Sequence, residues 1–74
     1  MAAVPALDAE GLVRALGPLV GVATRPRLAA LGSGEAQEVA VRYDEVRDWS
    51  KFHQVLETVD WWDGPEFILL RPRK

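Results

Sequence analysis

Tyr43-Asp-Glu-Val-Arg-Asp-Trp-Ser-Lys-Phe-His-Gln-Val-Leu-Glu-Thr-Val-Asp60, Trp61-Trp-Asp-Gly-Pro65 and Glu66-Phe-Ile-Leu-Leu-Arg71 follow one another without a break. In the first stretch Val46, Trp49, Phe52 or His53, Leu56 and Val59 recur at helical spacing. Glu45, Lys51, Gln54, Glu57 and Thr58 populate the wet side, and Asp44 is placed to cap the first free amides. Asp63-Gly64-Pro65 reads as a turn, and Glu66 to Arg71 as a strand. Successive strand side chains point to opposite faces, so Phe67 and Leu69 share one face and Ile68 and Leu70 the other. Both faces are apolar, and such a strand is usually central and covered on both sides. A short chain has few elements to supply two covers. The expectation is that a neighbouring molecule shelters one face.

Upstream, Ala36 to Tyr43 alternates cleanly, with Val39, Val41 and Tyr43 inward and Glu38 and Arg42 outward. Gly32-Ser33-Gly34 reads as a turn, and a hairpin across it pairs this strand with Leu19 to Leu31. In that earlier stretch Val20, Val22, Leu28 and Ala30 share one parity, with Arg25 and Arg27 on the other. Pro26 forbids a central position there and marks an edge or a bend. The other reading is that Pro26 opens a short helical turn through Ala29; the strand is preferred. Before it, Asp8 caps a helix over Ala9 to Leu16. Leu7 and Leu12 stand as a hydrophobic staple, and Leu12, Val13 and Leu16 form an apolar stripe. Gly17-Pro18 ends that helix, with Gly17 suited to a left-handed position. Met1 to Ala6 is expected to be a loose arm.

The predicted class is α+β: α-β-β-α-β, a small three-stranded sheet with two helices packed on one face, as a single domain over residues 1–74. If the second helix leads to a parallel third strand, the crossover is right-handed. Strand three then lies beside strand one as the sheet centre.

Seventy-four residues bury little; a domain of about this size hides only about 60% of the surface its unfolded chain exposes. Cysteine is absent, so disulfides and thiolate metal sites are excluded, and the single histidine rules out a multi-histidine site. Oligomerisation, or a well-packed small core, is what remains. Hydrophobic residues at 49% and charged residues at 27% argue against disorder. A net charge of −2 marks neither a nucleic-acid binder nor a strongly acidic mimic. Seven of the nine basic residues are Arg and Asn is absent, which reads as a GC-rich, bacterial coding bias. No signal peptide and no membrane-length apolar run is recognised, so a cytoplasmic location is expected. The initiator Met suggests a complete small open reading frame.

Chemistry-bearing residues are few. His53 and Glu57 are four apart and share a helix face, but a metal site needs at least three ligands. Ser33 and Ser50 have no base spaced to activate them. Gly-Ser-Gly lacks the Lys and helix start of a phosphate loop. No catalytic residue, metal or cofactor is expected. Asp60-Trp61-Trp62-Asp63 is the most unusual local sequence. Adjacent Trp residues cannot both face one way, so one is expected to close the core and the other to be exposed for contact. Arg25-Pro26-Arg27 and Arg71-Pro72-Arg73, the latter extended by Lys74, would form a basic patch if strands one and three are neighbours.

Three functions follow as expectations. The leading one is a self-associating protein-interaction module without catalytic activity, a homodimer or a partner of another protein, using Trp61, Trp62, Phe67 and Leu69. The second is an accessory nucleic-acid-binding protein using Arg25, Arg27, Arg71, Arg73 and Lys74. The third is a small-molecule or enzymatic pocket around His53, Glu57 and Asp60.

Overall fold

Asp8 turns the chain into its first helix by accepting the Gly11 amide at 2.8 Å. The computed structural model describes residues 6–73; the loose arm expected at the N-terminus and Lys74 lie, apart from Ala6, outside them. Helix α1 spans Ala9–Leu16 as expected, and its Leu12 and Leu16, one turn apart, are both buried. Its end differs from expectation. Gly17 is right-handed (φ −46°), and the chain tightens into a 3-10 turn over Gly17–Leu19 that buries Leu19.

The strand expected over Leu19 to Leu31 is not formed. Val20 is extended and makes an isolated bridge to Val46. Arg25–Ser33 is helix α2, with Pro26 in its first turn, where a missing N–H costs nothing. Leu28 and Leu31 are its buried residues, three apart rather than alternating. Gly34, at φ 87°, stops α2 in the left-handed conformation. The Gly-Ser-Gly segment therefore ends a helix, and the hairpin expected across it does not exist.

Val39–Arg42 is strand β1, with Val39 and Val41 buried. A 3-10 turn over Tyr43–Glu45 follows. Helix α3 is Trp49–Leu56, shorter than expected and capped by Asp48, not Asp44. The Val20–Val46 bridge and the bond from Arg47 N–H to Leu19 O hold the preceding segment extended. On α3 the buried choice is Phe52, while His53 is exposed. Val59–Asp63 is strand β2, so the two Trp residues stand within a strand rather than in a turn. Phe67–Pro72 is strand β3. Gly64 N–H donates to Phe67 O at 2.7 Å around Pro65-Glu66. Pro65 fixes a negative φ and Glu66 is not at positive φ, so this bend is not one of the turn types that need a left-handed residue.

The protein is thus α+β: the described residues form three α-helices and a three-stranded antiparallel sheet of order β1-β3-β2. The last strand is central, as expected, but it is antiparallel to both neighbours, so the described residues contain no parallel crossover. The order is α-α-β-α-β-β, not α-β-β-α-β. Val39, Val41, Ile68, Leu70 and Val59 lie on the sheet face that meets Leu12, Leu16, Leu28, Leu31, Phe52 and Leu56 in one core.

Candidate functional site

Helices cover one sheet face, and the register defines what the other carries. Ala40 stands opposite Leu69 and Leu69 opposite Trp62, giving an apolar row across the three strands. On one side lies the row Arg42–Phe67. On the other lies Arg71 opposite Asp60. Phe67 is 38% exposed and Trp62 45% exposed; Leu69 and Ala40 are half-buried. The Phe67 ring lies over Gly64: a side chain added there would meet its atoms at 3.2 Å. Part of the ring's cover therefore comes from a glycine at the hairpin tip.

Trp61 parts company with the other three expected contact residues. It stands opposite the buried Leu70, on the helix-covered side, yet is 41% exposed because β2 is an edge strand. Neither Trp closes the core, contrary to expectation; Phe52 and Leu56 fill that place. Trp49 is a further exposed indole, at 50%, which helical periodicity had assigned to the core stripe. Its ring stacks on Phe52 at 5.5 Å and stands 6.3 Å from His53. Recognising Asp48 as the true cap would have placed Trp49 at the wet start of α3.

The pairing of two strands that was to assemble the basic patch is not formed. Arg25 and Arg27 open α2, whereas Arg71 and Pro72 border a hollow with Leu31 and Gly34 at its far end. Nine residues of helix separate those ends by about 12 Å at 1.5 Å per residue. Arg27 donates to Ala40 O at 3.2 Å. Every arginine on the open face has a carboxylate partner: Arg42 with Asp44 at 3.3 Å, Arg71 with Glu38 at 3.4 Å, Arg73 with Asp60 at 3.2 Å. Such exposed pairs add little stability because solvent screens them, but each sets an acid beside its arginine. Asp44 holds the Arg42 guanidinium above its ordinary range through a hydrogen bond and its charge. The Arg71 guanidinium also lies 5.5 Å from the Trp62 ring centre.

The Tyr43 hydroxyl donates to Asp63 Oδ1 at 3.1 Å, tying β1's end to the tip of β2. Desolvation first, then the hydrogen bond and charge of Asp63, push the Tyr43 phenol above its ordinary value. A raised value means the folded state favours the protonated phenol. That contribution is full below the unfolded value of about 10 and is lost as pH rises through the folded one. Tyr43→Phe is therefore expected to be less stable than wild type at neutral pH, with the gap closing above about pH 10. A gap that is constant across an alkaline thermal-melt series would contradict the bond.

His53, Glu57 and Asp60 are all exposed and are not brought into one cleft. An open hollow of about 760 Å³ between α1 and α3 is lined by Leu7, Arg14, Leu19, Lys51, Val55 and Glu57 among others, but not by His53. Among the described residues no group of three or more His, Asp or Glu side chains is placed to hold a metal. Among the same residues no helix is long and apolar enough to cross a membrane. Comparison with protein-family models, curated proteins and solved structures gives no match, so no catalytic family is indicated.

Proposed function

We propose that the protein is a non-catalytic interaction module that associates with a second copy of itself through the β2–β3 side of its sheet, working in the cytoplasm. The observation that carries this reading is that Trp61 and Trp62 stand on opposite faces of one edge strand and both remain exposed. Phe67 and Leu69 extend the apolar surface inward from Trp62. Aromatic residues on an exposed surface are the residue types that anchor protein contacts. A homodimer would use the same patch on both subunits.

Charge separates this from nucleic-acid binding. A polyanion surface needs unpaired cations; on the open face Arg42, Arg71 and Arg73 are each matched by an acid, which leaves Arg25 and Arg27 of α2, among the described residues, as the nominated cations without one. The stack of Arg71 on Trp62 favours nucleic acid only in type; its Glu38 partner opposes it.

Equilibrium sedimentation across a wide concentration range is the test. A reversible monomer–dimer equilibrium is expected, weakened by Trp62→Lys without loss of helical signal. A monomer at every concentration would remove the reading.

A further inference from the structure

We propose that the self-association is an edge-to-edge union of two sheets, with the β2 strands of two copies pairing antiparallel about a two-fold axis at Trp61. This rests on the self-association reading above and specifies its geometry. The antiparallel ladder decides which backbone groups are free. Gly64 and Phe67 form a hydrogen-bonded pair, and such pairs alternate with non-bonded ones. Trp62 and Asp60 therefore bond to β3, while Trp61 and Asp63 turn their N–H and C=O groups to the open edge. Among the described residues no other hydrogen bond is made to those groups.

The opposite edge of the sheet is guarded at Ala40, within β1; on this edge the arginine cap sits at Val59, the first residue of β2, and leaves Trp61 and Asp63 open. By the same alternation, Tyr43 bonds to Glu66 O and Ala40 turns its carbonyl outward from β1. Arg27 of α2 caps that carbonyl, a device that blocks strand addition. On β2 the usual deterrent is its two carboxylates, and both are already engaged. Asp60 is paired with Arg73, and Asp63 accepts from Tyr43.

Like charges directly opposite each other destabilise strand pairing, and this selects the register. A two-fold axis at Asp60 or at Asp63 would set that carboxylate against its own copy. An axis at Trp62 would drive Val59 against Pro65, beyond the strand. An axis at Trp61 pairs all five residues of β2 and places Asp60 opposite Trp62 and Asp63 opposite Val59. Val59 O already accepts from Arg73, and a carbonyl's second lone pair leaves room for the strand bond. The two Trp61 indoles then meet on the helix side, and on the open side the two Trp62 rings lie diagonal to each other, each across from Asp60 of the other copy. A contact between open faces alone would leave Trp61 uncovered.

Amide hydrogen exchange followed residue by residue against concentration tests this. The Trp62 amide, bonded within the ladder, is expected to be protected at every concentration. The Trp61 and Asp63 amides are expected to gain protection only as dimer forms. Trp61→Lys is expected to raise the midpoint concentration of association by roughly tenfold or more, with unchanged thermal unfolding of the monomer. A dimer whose Trp61 and Asp63 amides stay unprotected overturns the edge geometry and leaves self-association standing. Protection independent of concentration means the chain covers its own edge, and overturns it as well. Absence of any dimer defeats both.

Discussion

Phe52→Ala is expected to leave the protein largely unfolded at 37 °C. Phe52 is the largest side chain with no solvent exposure. It projects from the middle of α3 into the core shared by the helices and the sheet. Truncating a buried Phe costs about 3–5 kcal/mol in lost transfer energy and cavity formation. At about 0.05–0.15 kcal/mol per residue, a chain of 74 residues has roughly 4–11 kcal/mol in total. The substitution removes between about a quarter and all of it. Two controls separate burial from aromatic stacking. Phe52→Leu keeps most of the volume and is expected to cost less than about 1.5 kcal/mol. Trp49→Ala removes the ring stacked on Phe52 but exposed to solvent; its cost is expected to stay near the 0.5–1.5 kcal/mol, approximately, of an aromatic pair. Urea unfolding followed by far-UV circular dichroism measures all three. A Phe52→Ala midpoint equal to that of Trp49→Ala would mean the helix is not seated as described.

What could be read from the residues alone was whatever had two agreeing local signals. Helix α1 has a cap, an apolar stripe and a Gly-Pro stop, and its limits were recovered to the residue. The parity of Val39 and Val41, and of Ile68 and Leu70, follows from the pleat and is the parity of the core. Where local signals competed, tertiary contacts chose. Asp44 and Asp48 both carry a cap-type side chain ahead of the same apolar pattern. Pairing of Val20 with Val46 takes residues 43–47 out of the helix and leaves the cap to Asp48. Pro26 fits an edge strand or a first helical turn equally, and the parity of Val20, Val22 and Leu28 was coincidental. The burial of Leu28 and Leu31 on one helical face decided it. Strand β2 had no periodic signal because only Val59 is buried and its other four residues face water on both sides. That same lack of burial is what makes Trp61 and Trp62 available. The contact residues were legible as types; their division between two faces of an edge strand required the register. The arginines were legible only as a cluster in sequence, since their carboxylate partners lie up to 33 positions away.

Gly21→Ala is expected to destabilise the wild-type protein yet to be neutral or stabilising once Glu45 is removed. The Glu45 carboxylate sits against Gly21 and accepts the Thr24 N–H at 3.2 Å, at the start of α2. There it supplies an acceptor that the Thr24 side chain does not provide as a local cap. The backbone holds this arrangement in place, since Gly21 N–H donates to Glu45 O at 2.9 Å. A methyl group on Gly21 would fall on the carboxylate itself, with the carboxylate carbon at 2.7 Å. Being the end of a flexible side chain, the carboxylate swings out; the Thr24 hydroxyl loses its acceptor, and the Thr24 N–H keeps only Gly21 O, at 3.2 Å. Loss of an N-terminal acceptor costs about 0.5–2 kcal/mol, so Glu45→Ala and Gly21→Ala are each expected to cost about 1–2 kcal/mol. In the Glu45→Ala background nothing remains to displace. Gly21 is not at positive φ, so Ala there restricts the unfolded chain and returns up to about 1 kcal/mol. The double variant is therefore expected to be no less stable than Glu45→Ala, a coupling of about 1 kcal/mol or more between two sites in contact. Strictly additive losses in the four-member cycle would show that Glu45 does not hold the start of α2.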